Sequence, residues 1–200
     1  MQLHSALSFI IDDLSKKDII REEVIALSRK LNRKSGTGIA HLLRNNNVND
    51  YLAETGSLMS ELNKKMEQIV EITSWGLVSS GVEEYCEFVL LEGFLTGKDL
   101  KDPKELEVPP WIWLTGLCDT VGELRRVLLS QLIDNNLDGA KDIFSMIQKI
   151  YFELSGVVFS KNLVPNLRRK LDVIRTVTER TESDMANAML LKRSQLHLKG

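Results

Sequence analysis

The sequence predicts an all-α fold, a bundle of six or seven helices. Three observations carry that expectation. Proline occurs only at Pro103, Pro109, Pro110 and Pro165, so the first hundred residues hold no proline to interrupt a long helix. No segment sustains the two-residue alternation of a half-buried strand, and no Asn-Gly hairpin turn is present. Apolar residues recur instead at spacings of three and four, the period of a helix with one buried face.

Each element can be placed in turn. Residues 3–34 read as helix on the spacing of Leu14, Ile20, Val24, Leu27 and Leu31, loosened near Ser15. Gly36 and Gly38 predict a break, and "IAHLLRNN" a short helix closed by asparagines. A helix from about Asp50 to Thr73 follows, then one from about Trp75 to Thr96. "GKDLKDPKELEVPP" is a polar linker punctuated by proline. Pro110 suits the first turn of a helix running to about Asp134, because its missing N–H has no partner to lose there. "NNLDGAKDIFSMIQKIYFELSG" supplies the next helix, and Val164 to about Arg193 the last. No internal repeat or low-complexity tract interrupts the pattern, and one domain over 1–200 is expected.

Composition bounds the function. The chain has 200 residues, 43% hydrophobic and 27% charged, with a net charge of -2, which disfavours a uniformly basic nucleic-acid binder but allows local basic faces. Cys86 and Cys118 sit in apolar helical patterns and read as packing thiols of a reduced compartment. The start "MQLHSALSFIIDDLS" lacks a basic leader region, and Asp12 and Asp13 cut its apolar run short. No run approaches the ~20 apolar residues that span a bilayer. A cytoplasmic protein without a membrane partner is the expectation.

Two acidic pairs stand out. In "GVEEYCEFVLLEGFL", Glu84 and Glu87 are three residues apart and share a stripe with Leu91 and Leu95, where a helix does not normally keep its charges. Glu83 and Glu92 point elsewhere and read as surface acids. In "LTGLCDTVGELRR", Asp119 and Glu123 are four apart, again on one face, with Gly116 and Gly122 as mid-helix glycines open to close approach. A lone buried carboxylate is costly unless it is paired, protonated or bound to metal. Four such acids on neighbouring helices could hold one hard cation, Mg²⁺ or Mn²⁺, by all-oxygen ligation. The competing reading is an ion-pair network through Arg125 and Arg126, and spacing leaves both open. Absences narrow the chemistry. His4, His41 and His197 lie far from these acids in sequence, no Glu-x-x-His motif suggests a di-iron site, and no nucleophilic triad or phosphate loop is visible.

These segments resemble the translin superfamily. "SSGVEEYCEF" is similar to the segment of translin-associated factor X in which two glutamates flank a Tyr-x pair. "GLCDTVGELRR" resembles that branch's acidic helix, "KKDIIREEVIALSRKL" the start of translin, and "LRRKLDVIRTVTERTESDM" the basic last helix of both. The resemblance covers nearly the whole chain in order and is closest to factor X in its acidic motifs, of a prokaryotic or archaeal type. It implies a helical bundle assembling into a barrel-like oligomer, commonly an octamer, that encloses RNA. It also implies a Mg²⁺-dependent endoribonuclease acting on single-stranded RNA, with Mn²⁺ able to substitute and single-stranded DNA a second candidate ligand. The catalytic and metal-binding acids it implies are Glu84, Glu87, Asp119 and Glu123. Arg21, Arg168, Arg169 and Lys170 become candidate RNA contacts, and Arg126 either holds phosphate or neutralises Asp119 and Glu123. Two features depart from the family. The His- and Arg-rich nucleic-acid motif of translin is not recognisable around "EITSWGLVSSG", and a short proline linker replaces factor X's long insertion. The rival reading is a non-catalytic scaffold that binds single-stranded RNA or DNA.

Overall fold

The computed structural model describes residues 3–71 and 74–197. Within them are six helices: α1 (Leu3–Leu42), α2 (Asn49–Glu67), α3 (Ser79–Thr96), α4 (Pro110–Ile133), α5 (Leu137–Leu154) and α6 (Leu167–His197). A 3₁₀ turn at Trp75–Leu77 leads into α3, and no strand occurs among the described residues. The all-α expectation holds. The chain divides into two compact units, one of Met1–Val89 with Lys101–Ile112, the other of Leu90–Leu100 with Trp113–Gly200.

In the first unit α1 is a single helix of 40 residues, and the expected break at Gly36 and Gly38 is absent. Those glycines serve close packing instead. A β-carbon on Gly38 would lie 2.5 Å from the ring of Phe88, a fully buried α3 side chain, and one on Gly36 would lie 3.0 Å from Glu84 Oε1. A helix can absorb the ~1 kcal/mol propensity cost of a glycine when its neighbour gains this proximity. Further along the same contact, a β-carbon on Gly81 would sit 2.4 Å from the Ser28 carbonyl oxygen, and Ser28 Oγ donates to the Val78 carbonyl at 3.2 Å. Helix α1 buries Val24, Ser28, Leu31, Ser35, Ile39 and Leu42, a stripe at three- and four-residue spacing, and packs along α2. From α2 come Leu58, Met59, Leu62 and Met66. Helix α2 ends at Glu67 in a tightened turn, with Ile69 N–H donating to the Met66 carbonyl; the expected end at Thr73 lies outside the described residues.

The proline segment is tied down rather than a free linker. Asp102 Oδ1 accepts from the backbone N–H of Lys104 and Glu105 at 2.7 and 2.8 Å, and the Asp102 N–H donates to Glu105 Oε2. Leu106 and Val108 are buried, and Asn63 Nδ2 donates to the Glu107 carbonyl.

In the second unit α5 is sharply amphipathic. It is capped by Asn136, whose side chain accepts from the Gly139 N–H, and buries Leu137, Ala140, Ile143, Ile147, Ile150 and Leu154. It packs against α6, which buries Leu167, Ile174, Thr178, Thr181 and Met185. Helix α6 starts at Leu167, three residues later than the sequence suggests, because Asn166 adopts a left-handed conformation (φ 61°) that cannot continue a helix. Helix α4 begins at Pro110 as expected and contributes Val121, Leu124 and Leu128 to the buried set. No helix among the described residues is long and apolar enough to cross a membrane.

Candidate functional site

Glu84 and Glu87 lie in the first unit, half-buried on α3 between the buried Tyr85, Cys86 and Phe88. Their neighbours show why the helix is apolar almost all round: Val82, Cys86 and Phe88 are fully buried. Burial pushes the Cys86 thiol well above its ordinary range, with the Glu83 charge adding to it, so the thiol stays protonated and is no nucleophile. Burial, with the Glu107 carboxylate adding to it, pushes the Tyr85 hydroxyl up to about 12. The Cys86 and Cys118 side chains are both buried, as their sequence setting predicts.

The second pair lies in the other unit on α4. Asp119 Oδ2 accepts from Lys170 Nζ in a short contact that joins α4 to α6. Glu123 is different. Its Oε2 is buried and, among the described residues, has no hydrogen-bond partner. Arg126 Nη1 stands 3.6 Å away, near enough for charge attraction and too far for a hydrogen bond, and its side chain is largely in solvent. Arg125, by contrast, is committed to structure. It donates to Thr181 Oγ1 at 2.7 Å and to Asp184 Oδ2 at 2.8 Å on α6. Gly122 faces open space, with nothing within 4 Å of an added β-carbon, so packing does not require a glycine there.

Glu92 overturns its sequence reading as a surface acid. It is buried, its Oε1 accepts from Lys98 Nζ at 2.5 Å, and Thr96 Oγ1 lies 3.5 Å from the same oxygen. Helical phase placed it off the acidic stripe, but α3 is covered on several faces there, so phase alone does not separate inside from outside.

Of the candidate RNA contacts, Arg21 is bound to its own helix, donating to Glu22 at 2.7 Å and Asp18 at 3.4 Å. Lys170 is engaged by Asp119. Arg168 and Arg169 are exposed on the first turn of α6 and line a groove of about 630 Å³ with Lys161 and Phe159. The sequence marks Arg168 and Arg169 but not Phe159, for which no local pattern stands out. Trp111 and Trp113 are half-buried. His4 is exposed, and His41 holds the α1–α2 turn through Tyr51 (3.3 Å) and Asn46 (3.4 Å).

The donor set offered by these acids is all oxygen, which suits a hard divalent cation, and the orphaned Oε2 of Glu123 is an acceptor still lacking a donor or ion. Against this, no group of three or more His, Cys, Asp or Glu side chains among the described residues is already gathered to hold an ion. At Asp119 the counter-charge is supplied by the Lys170 ammonium.

Six helices, no described strand, and acids set into apolar helix faces define an all-α protein with a carboxylate-bearing core helix in each unit. Residues 19–186 match the Translin family, and the chain belongs to it. An uncharacterized protein of Methanocaldococcus jannaschii is 28% identical over 198 residues, covering 96% of this chain and 87% of its own length. Among solved structures, AfC3PO in complex with duplex RNA is 28% identical with a TM-score of 0.79, covering 93% of this chain and 97% of that one. AfC3PO alone is 27% identical with a TM-score of 0.73, covering 93% and 98%. The apo form of NeC3PO, at 20% identity, agrees in fold with a TM-score of 0.83, covering 94% and 98%.

Proposed function

We propose that this chain is a Mg²⁺-dependent endoribonuclease of single-stranded RNA that works as a homo-oligomer, an octamer, in the cytoplasm. Glu84, Glu87, Asp119 and Glu123 are the metal ligands, direct or through water, with Mn²⁺ able to replace Mg²⁺. The observation that carries the reading is Glu123: a buried carboxylate oxygen without a hydrogen bond is costly, and a cation is the partner that would offset the cost. The likeness to AfC3PO, whose complex holds duplex RNA, supports an RNA ligand in general terms.

A bound Mg²⁺ would supply Lewis-acid polarisation of the phosphate and a water of lowered pKa. The chain's own contributions are separate. Glu123 accepts a proton or holds the charge of its partner, and Asp119, once Lys170 swings away, becomes a second acceptor one helical turn from it. Lys170, released in that way, is a cation able to reach a phosphate oxygen. Arg126, largely in solvent, is the other, while Arg168 and Arg169 contact the RNA backbone further along α6.

A second reading, a scaffold that binds RNA without cutting it, is favoured by the Asp119–Lys170 pair, which neutralises one acid without any ion. Labelled single-stranded and duplex RNA incubated with and without Mg²⁺ separate the two. Cleavage of the single strand that disappears on chelation is expected. Binding with no cleavage under any metal condition would establish the scaffold. Phosphate contacts by Arg168 and Arg169 also predict a salt-dependent affinity, and replacing both with Ala should lower the slope of log K against log salt by about 1–2. An unchanged slope would remove them from the interface.

A further inference from the structure

From the structure we infer that the N-terminal arm of α1 is a self-association seam, on which a second copy of this chain packs its own arm in antiparallel fashion. The inference rests on the oligomeric part of the proposal above and adds the surface that builds it.

Helix α1 buries nothing before Val24. Residues 3–19 nevertheless carry Leu3, Leu7, Phe9, Ile10, Ile11, Leu14 and Ile19, each 47–76% exposed. A polar projecting helix would need no explanation, but seven large apolar side chains in 17 residues do. Their order is informative. Leu3, Leu7, Ile10 and Leu14 are spaced four, three and four, the repeat of a coiled-coil seam, with Ile11 on its flank. Phe9 and Ile19 fall on other faces of the helix.

The same repeat selects the orientation. In a parallel pair the seam would continue into Lys17 facing Lys17 and Arg21 facing Arg21, two like-charged layers. In an antiparallel pair centred between Ser8 and Phe9, Leu3 lies opposite Leu14 of the second copy and Leu7 opposite its Ile10. All four seam residues then find an apolar partner, and Lys17 falls beyond the other arm's end. The flanking positions are His4, Ala6, Ile11 and Asp13, which bring no two like charges together. Lys17 is already engaged by Asp13 at 2.9 Å and Glu71 at 3.1 Å, which fixes the root of the arm to its own unit.

The area agrees with a second copy as occupant. The exposed apolar surface of Leu3, Leu7, Ile10, Ile11 and Leu14 is on the order of 500 Å². A standard interface takes about 800 Å² from each partner and is roughly 57% apolar, so this stripe with its polar flanks is sufficient.

The test is mass, read without RNA or metal. Sedimentation of the wild type and of Leu7→Glu/Ile10→Glu should show the variant at a lower order of assembly, with helical circular dichroism retained and a melting temperature that no longer depends on protein concentration. A variant of wild-type mass would overturn the seam while leaving the nuclease proposal standing. A wild type that is monomeric at every concentration would overturn the seam together with the oligomeric reading. Orientation has its own check. Under mild oxidation, a mixture of Leu7→Cys and Ile10→Cys proteins should form the mixed disulfide, and neither protein alone should cross-link efficiently. Efficient self-linking of each instead would reject the antiparallel pairing.

Discussion

Glu92 and Glu123 are both carboxylates drawn into the second unit, and they are treated in opposite ways. Glu92 is buried and satisfied: Lys98 reaches it at 2.5 Å, Thr96 lies alongside, and the lysine's stem still leaves much of that side chain in water. Glu123 is more open as a side chain, yet its Oε2 is buried and, among the described residues, without a hydrogen bond, with Arg126 held off at 3.6 Å. Burial of a charge is therefore no mark of function by itself. What distinguishes the two is whether the protein has supplied the partner.

The largest effect should come from truncating each in turn. Glu123→Ala is expected to lower RNA cleavage by about 100-fold or more, the scale of several kcal/mol that a metal contact supplies in a transition state. Glu92→Ala should leave the rate within about 3-fold on the same labelled RNA. Equal losses would erase the distinction. Stability should move the other way in metal-free buffer. Losing the satisfied Glu92 costs about 1–2 kcal/mol by urea unfolding, whereas Glu123→Gln, which removes a charge held only by the distant, solvent-facing Arg126, should cost less than about 0.5 kcal/mol. A third measurement sharpens the point without catalysis. Mg²⁺ at ten times its Kd should stabilise the wild type by about 1.4 kcal/mol and Glu123→Ala by far less. The smallest effect concerns the neighbouring acid. Lys170→Met frees Asp119 from its internal counter-charge and should lower the half-saturating Mg²⁺ by about 3-fold in a metal titration. A raised requirement would mean that Lys170 helps to place Asp119 instead of competing for it.

The two glycine sets on α1 and α4 show how far local reading carries. Gly36 and Gly38 look like a helix break because glycine is a poor helix former. They lie within one continuous helix: Gly38 leaves room for the Phe88 ring, which a β-carbon there would meet at 2.5 Å, and Gly36 lets the end of the Glu84 side chain come close. The signal was real and its meaning was tertiary. Gly122, read as a site of close approach, meets nothing within its own chain. Helix starts were more legible where local chemistry decides them: Pro110 opens α4, and Asn136 caps α5. The beginning of α6 was missed because the left-handed turn at Asn166 leaves only a faint trace in the residue type.

For the candidate site, the sequence alone identified the two acidic pairs, since residues three or four apart on a helix must share a face whatever surrounds them. It also determined the all-α class, because helical periodicity and the placement of proline are local properties. Only the tertiary structure decided how these acids are partnered: Lys170 meets Asp119 across 51 residues of chain, Glu92 turns inward, and Glu123 keeps one buried oxygen that no hydrogen bond among the described residues answers. Such pairings depend on which helices lie side by side and how deeply each is covered. Neither property is written in the spacing of residues along a single helix.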